Sequence, residues 1–321
     1  MSTLCAGCGH DSITAALVQA LWEMSISPEK LIKLSGIGCS SKTPAYFVKG
    51  AHGFNSVHGR MPSVATGAHA GNRDLICIGV SGDGDSLSIG FGQFGHAIRR
   101  NLNMLYLIEN NGVYGLTKGQ FSASADPGST AKKGAPNLMQ SINPVATAIA
   151  MGASFVARSF SGDREQLVEL IKAGIAHPGC ALLDVISPCV TFNDHEGSTK
   201  SYAYTRLHKH QATAADYVPA ADEITAQYAE GEVISVKLHD GSSIVLKKAD
   251  ADFDPTKRSS ALGYLEKHRD LGEIPTGLLF IDEDWPEMHA IYGTAAKPLK
   301  AFTFEELNPG REALEKLQRE M

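Results

Sequence analysis

Residues 74–90, DLICIGVSGDGDSLSIG, followed at 103–111 by NMLYLIENN, decide how this chain folds. DLICIGV is a near-continuous apolar run of the type buried on both faces of a parallel sheet, and NMLYLIE is a second. Between them the glycines turn the chain, and a helix is expected to run to about Arg99. The same alternation continues outward in both directions. DSITAALVQALWEM at 11–24 reads as an amphipathic helix with Asp11 or Ser12 at its N-cap, and LIKLS at 31–35 as a short strand. Residues 60–71, rich in Ala and Gly, suit a closely packed helix. ASFVARS at 153–159, DREQLVELIKAGI at 163–175 and CALLDVI at 180–186 read as strand, helix and strand. Alternation of this kind predicts an α/β fold, a doubly wound and mostly parallel sheet with helices on both faces.

Past residue 190 the character changes. TFNDHEGSTKSYAYTRLHKHQ is polar and irregular, EVISVKLHDGSSIVLKK reads as a hairpin around HDGS, and a charged helix is expected from Pro309 onward. Residues 1–200 are therefore expected to form the main domain. Residues 201–321 are expected to be an extension packed on it or on a partner.

Composition narrows the class. Of 321 residues, 43% are hydrophobic and 20% charged, which describes an ordinary globular chain. A net charge of −6 argues against a nucleic-acid protein, which would carry a basic face. The absence of an 18-residue apolar run argues against a membrane span. MSTLCAGCGH lacks the basic-then-apolar pattern of a signal peptide, so a cytoplasmic location is expected. Six cysteines in such a chain do not read as a disulfide framework. Cys77 and Cys180 lie within apolar strands and are expected in the core. Cys5, Cys8, Cys39 and Cys189 lie beside Gly or Pro in loop contexts, and together suffice for a metal or a cluster. The CxxC of Cys5 and Cys8 serves zinc, a redox pair or an iron–sulfur cluster equally well.

The segment VSGDGD carries the clearest chemistry. Glycines let backbone N–H groups approach a phosphate, and a helix follows. Twenty-five residues separate Gly84 from Asn110, and Asn110–Asn111 end the very next strand. Neighbouring parallel strands share one carboxyl edge, so Asp83 and Asn111 are expected to meet there. This arrangement resembles the thiamine-diphosphate-binding motif, which implies Mg²⁺ on Asp83, Asn111 and the Val113 carbonyl. It further implies diphosphate contacts from Gly82, Gly84 and Asp85, with Gly115 and Leu116 beside the cofactor.

CAGCGH, GIGCSSK, HGRMPSVATG, GDGDSLSIG, NNGVYGLTKGQ and SPCVTFND occur in the order seen in β subunits of 2-oxoacid:ferredoxin oxidoreductases, which residues 1 to about 200 resemble. The hairpin and tail are also like those of the 2-oxoglutarate branch. One departure is Ala6, where the family more often shows proline. The resemblance implies a [4Fe–4S] cluster on Cys5, Cys8, Cys39 and Cys189, and thiamine diphosphate with Mg²⁺ bound against Ile37, Gly38, Cys39, Ser40 and His58. It implies Lys42 near the thiazolium, Lys118 facing the substrate carboxylate and Leu116 buttressing the cofactor. The implied reaction is CoA-dependent oxidative decarboxylation of 2-oxoglutarate, or its reverse, with ferredoxin as electron partner. Pyruvate or a wider range of 2-oxo acids is the alternative substrate class. The glutamate such enzymes need at the aminopyrimidine is expected on an α subunit, giving αβ or (αβ)₂ assemblies. A non-redox thiamine-diphosphate decarboxylase leaves the four thiols unexplained, and a zinc-stabilised scaffold leaves the Asp83-to-Asn111 spacing unexplained. His10 and most other histidines show no interpretable spacing, and His208 and His210 are expected at the surface.

Overall fold

A computed structural model of the chain describes residues 2–130, 135–219, 233–238, 241–248, 250 and 252–320. Among these the strands are β1 (Leu31–Ser35), β2 (His52–Asn55), β3 (Ile76–Gly82), β4 (Met104–Asn110), β5 (Val113–Tyr114), β6 (Gln120–Phe121), β7 (Phe155–Phe160), β8 (Cys180–Ile186), β9 (Lys209–Gln211), β10 (Thr213–Val218), β11 (Val233–Lys237), β12 (Ser243–Lys248) and β13 (Ile274–Ile281). The main helices are α1 (Gly9–Glu23), α2 (Thr43–Tyr46), α3 (Met61–Gly71), α4 (Phe91–Arg99), α5 (Pro144–Met151), α6 (Arg164–Ala176), α7 (Tyr202–His208) and α8 (Arg258–Asp270).

Eight strands form one sheet in the order β2-β1-β3-β4-β8-β7-β13-β9. The first six run parallel, while β13 pairs antiparallel with β7 and parallel with β9. Helices cover both faces. Leu17, Leu21, Leu167, Leu170 and Ile171 pack with Val80, Leu107 and Leu183 on one side. Met61, Phe94, Ile98, Val145 and Ile149 pack with Leu34, Met104, Tyr106 and Leu182 on the other. The strands β4, β7 and β8 are buried along their whole lengths, which is why they read as unbroken apolar runs. The doubly wound α/β expectation is met, and Cys77 and Cys180 are core residues at 3% and 0% exposure.

Several local expectations shift. Helix α1 begins at Gly9 with Cys8 at the N-cap, not at Asp11 or Ser12; Asp11 lies in its first turn. The start is fixed by close packing, since a Cβ at Gly9 would stand 2.5 Å from Ser187 Oγ. The apolar segment around DLICIGV forms its strand from Ile76 to Gly82. The polar stretch after residue 190 contains α7 and the edge strand β9. The hairpin is present as β11 and β12, with β10 as an additional partner strand. Its HDGS turn is described only at Gly241 and Ser242; residues 239 and 240 lie outside the described residues. Among the described residues no helix is long and apolar enough to cross a membrane.

Candidate active site

The loops leaving β1, β3, β4 and β8 gather at one carboxyl edge of the sheet, where ligands bind in open α/β folds. Ile37, Gly38, Cys39 and Ser40, Gly82 to Asp85, and Asn111, Val113 and Gly115 line a single cleft with His10, Glu109 and Tyr114. The GDG turn runs into one π-helical turn, Asp85–Ile89, a form concentrated at functional positions. Glycine is obligatory at 84, because a Cβ there would stand 2.6 Å from the Tyr114 ring.

Asp83 is 1% exposed. Its carboxylate accepts from Asn111 N at 3.4 Å, Gly112 N at 3.0 Å and Ser124 Oγ at 2.5 Å, and also from Ser122 Oγ. Burial pushes its pKa up, and the two serine hydroxyls pull against that shift. The two asparagines divide the labour. Asn110 Nδ2 donates to Asp184 Oδ1 at 3.0 Å and so ties β4 to β8, while Asn111 stands beside Asp83 with its Oδ1 accepting from Val113 N at 3.0 Å. Carboxylate, amide oxygen and the Val113 carbonyl form the hard oxygen set that Mg²⁺ takes.

Asp85 is turned inward. Its Oδ1 accepts from Gly59 N at 2.9 Å and pairs with His58 Nδ1 at 2.7 Å, and its Oδ2 accepts from Ser81 Oγ at 2.9 Å. His58 is 44% exposed above it, so the carboxylate orients an imidazole at the rim of the cleft.

The thiols lie next door. Cys5, Cys8, Cys39 and Cys189 line one pocket with Lys42, His10, Asn111 and Gly115. A Cβ at Gly115 would be 3.4 Å from Cys39 Sγ and 3.6 Å from Cys189 Sγ, so this glycine touches both the thiol pocket and the cleft. Burial pushes the Cys8 thiol up to about 12, and raises Cys39 and Cys189 as well. Four thiolates around one zinc ion would sit about 3.8 Å apart, given Zn–S of about 2.3 Å. No three of these thiols lie within 4.8 Å of one another. Thiolates are the donors that both iron–sulfur clusters and zinc take.

Lys42 sits at this pocket, its Nζ donating to Thr3 O at 3.1 Å. Leu116 and Lys118 are exposed on the turn between β5 and β6 and line neither cavity. Lys118 holds a left-handed φ of 87°, an uncommon conformation for a side-chain-bearing residue.

Glu109 is a site residue that sequence reasoning passed over. It is 0% exposed near the end of β4; its Oε1 accepts from Thr43 Oγ1 at 2.8 Å, and its Oε2 has no hydrogen-bond partner. His10 Nδ1 stands 3.5 Å from that oxygen and 2.6 Å from Ser187 Oγ. Burial raises Glu109 well above its ordinary value and lowers His10 to about 4. The buried Ser40 Oγ is also unpartnered. A carboxylate inside an otherwise apolar strand was the legible signal.

The fold and the diphosphate edge define a thiamine-diphosphate enzyme domain. Residues 36–185 match the family model "Thiamine pyrophosphate enzyme, C-terminal TPP binding domain". The β subunit of 2-oxoacid:ferredoxin oxidoreductase from Sulfolobus sp is 44% identical over 206 residues, 64% of this chain and 67% of that one. The 2-oxoglutarate oxidoreductase subunit KorB of Mycobacterium tuberculosis is 41% identical over 191 residues, 59% of this chain and 51% of that one. A 2-oxoglutarate:ferredoxin oxidoreductase structure from Magnetococcus marinus, with 2-oxoglutarate, coenzyme A and succinyl-CoA bound, superposes with a TM-score of 0.73 at 28% identity, over 99% of this chain and 92% of that one. This chain belongs to the β subunits of the 2-oxoacid:ferredoxin oxidoreductases, a family of oxidoreductases.

Proposed function

We propose that the chain is the β subunit of a cytoplasmic 2-oxoglutarate:ferredoxin oxidoreductase. With an α subunit it would convert 2-oxoglutarate and coenzyme A to succinyl-CoA and CO₂, or run the reverse carboxylation, passing electrons through a [4Fe–4S] cluster to ferredoxin. The observation that carries this reading is the shared wall of the two cavities, in which Cys39, Asn111, His10 and Gly115 line both the thiol pocket and the diphosphate cleft. A cluster held by the four thiols would then adjoin the cleft and could take up electrons released there. The choice of 2-oxoglutarate is supported by the names of the Mycobacterium tuberculosis relative and of the Magnetococcus marinus structure. A broader 2-oxo acid range is favoured by the name of the Sulfolobus relative and is the second reading.

When bound, thiamine diphosphate supplies the carbanion chemistry and the cluster supplies one-electron transfer. The chain supplies position and charge. Asp83, Asn111 and the Val113 carbonyl hold Mg²⁺, and Gly82, Gly84 and the backbone of Asp85 approach the diphosphate. The inward carboxylate of Asp85 fixes the His58 ring, leaving its Nε2 for the cofactor. Lys42 brings positive charge to the thiol pocket, and Lys118, on the turn beside Leu116, would face the substrate carboxylate only in the assembled enzyme. Ile37, Gly38, Ser40 and Gly115 pack beside the cofactor.

The test is iron and acid-labile sulfide on anaerobically purified protein, followed by turnover of the αβ complex. About four irons and four sulfides per chain are expected, with a reduced-cluster resonance after dithionite. In kcat/KM, 2-oxoglutarate is expected to exceed pyruvate by about tenfold or more. Zinc without sulfide would overturn the redox reading, and equal use of pyruvate would overturn the substrate choice alone.

A further inference from the structure

Away from the cofactor edge, three side chains of the C-terminal region bring unsatisfied polar atoms together. His210 lies on β9, Asp250 follows β12 and His268 lies on α8. His210 Nε2, Asp250 Oδ2 and His268 Nε2 are each buried with no hydrogen-bond partner, and a ligand atom from each lies within 4.8 Å of the others. His268 is 3% exposed. Its Nδ1 stands 2.6 Å from Glu273 Oε2. A carboxylate oxygen only accepts, so Nδ1 carries the proton of that bond and the opposite nitrogen is turned toward Asp250 Oδ2, 3.5 Å away.

That separation is too long for a direct hydrogen bond, which needs about 2.7–3.2 Å. It is close to the spacing of two ligands on one ion. With bonds of about 2.0–2.2 Å, tetrahedral neighbours stand about 3.3–3.6 Å apart. The two imidazoles are stacked nearly parallel, with centroids 4.5 Å apart. A carboxylate on the far nitrogen is the usual support of a metal-bound histidine, since it fixes the tautomer and ring angle. Tyr264 OH, also buried, interacts with Asp250 in the same group, its ring 4.1 Å from that of His268. Among the described residues the other cation at hand is Lys267 Nζ, 3.6 Å from Asp250 Oδ2 on a side chain that is 61% exposed.

We propose that His210, Asp250 and His268 form a binding site for a first-row divalent transition-metal ion, distinct from the magnesium and thiol sites. Two imidazoles and one carboxylate select Zn²⁺, Fe²⁺, Co²⁺ or Mn²⁺ over Mg²⁺ or Ca²⁺, which take oxygen alone. The three ligands come from the edge strand of the main sheet, from the segment after the small sheet and from α8. A bound ion therefore staples the C-terminal region to the main sheet.

Cobalt(II) is the probe, because thiolate ligation gives strong charge-transfer absorption and imidazole–carboxylate ligation does not. The full chain, purified anaerobically and freed of loosely held metal, is titrated with CoCl₂. One equivalent is expected to bind with weak visible bands free of thiolate charge transfer, and to raise the melting temperature. Asp250→Asn and His268→Gln should each weaken that uptake by about tenfold or more, and Glu273→Gln less, while Asp83→Asn leaves it unchanged. Asp250→Asn keeps the side-chain shape, so it remains informative if His268→Gln does not fold. Uptake unaffected by Asp250→Asn, or cobalt bound through thiolates alone, would overturn the site and leave a histidine–carboxylate cluster only.

Discussion

Glu109 and His10 are a pair that could form a salt bridge and do not. Both are fully buried, and burial penalises the charged form of each, moving the carboxyl up and the imidazole down. The consequence is a pH dependence of defined sign. Folded Glu109 retains a proton that the unfolded chain releases above its ordinary value of 4.5, so stability falls as pH rises beyond that value. Glu109→Gln keeps the acceptor for Thr43 and removes the titration. Its stability relative to wild type should match below pH about 4.5 and grow by up to about 1.4 kcal/mol per pH unit above it. Urea unfolding of the full chain between pH 4 and 8 measures this, and parallel curves would refute it. Among the thiols the contrast lies in surroundings. Cys39→Ser should abolish the dithionite-reduced resonance, whereas Cys180→Ser, in a fully buried strand far from the thiol pocket, should lower stability by about 1–3 kcal/mol and spare the signal.

At the scale of elements, the loop before α3 shows how backbone geometry supports the site. Gly59 has φ +68°, its N–H donates to Asp85 Oδ1, and a Cβ there would stand 2.6 Å from Gly90 Cα. Gly59→Ala should therefore cost about 1–3 kcal/mol and displace His58, seen as a lowered melting temperature and weaker thiamine-diphosphate binding. Gly67, on the exposed face of α3 with nothing near its missing Cβ, predicts the reverse. Gly67→Ala should stabilise by about 0.5–1 kcal/mol, because alanine is the better helix former. The elements that were legible were those whose apolar runs outlast their turns, namely β3, β4, β7, β8 and α6. β13 was not, although GLLFI lies within it. Pro275 and Gly277 break the pattern that marks a strand, and Gly277 is held at φ +100° against Thr213, where the register with β7 also slips. His210 and His268 were unreadable for a related reason. They lie 58 residues apart, on β9 and α8, and only the docking of the C-terminal region brings them together, so that His210, expected at the surface, is half-buried with Nε2 enclosed.

The whole molecule presents an incomplete site. The diphosphate motif was legible because both of its halves are local strand ends. What closes over the cleft was not, because it is not in the described part of this chain. Val57, Ile89 and Leu116, in the segments that carry His58, Asp85 and Gly115, are 72%, 56% and 50% exposed. Apolar side chains grouped around a polar cleft mark a surface that another protein covers. Among the described residues there is one doubly wound sheet, and the remaining strands form only a three-stranded and a two-stranded sheet. The β-subunit names of the relatives imply a second polypeptide, an α subunit, beside this one. The isolated β chain should show no detectable turnover of 2-oxoglutarate, even when loaded with cluster, Mg²⁺ and thiamine diphosphate, and activity should appear on titration with an α subunit. Val57→Glu should shift that titration by about tenfold, since one buried interface anchor is worth about 1–2 kcal/mol, while iron content stays unchanged. Full turnover by the β chain alone would mean that the catalytic glutamate comes from this polypeptide. Glu109, buried and lining the cleft, would then be the residue to substitute first.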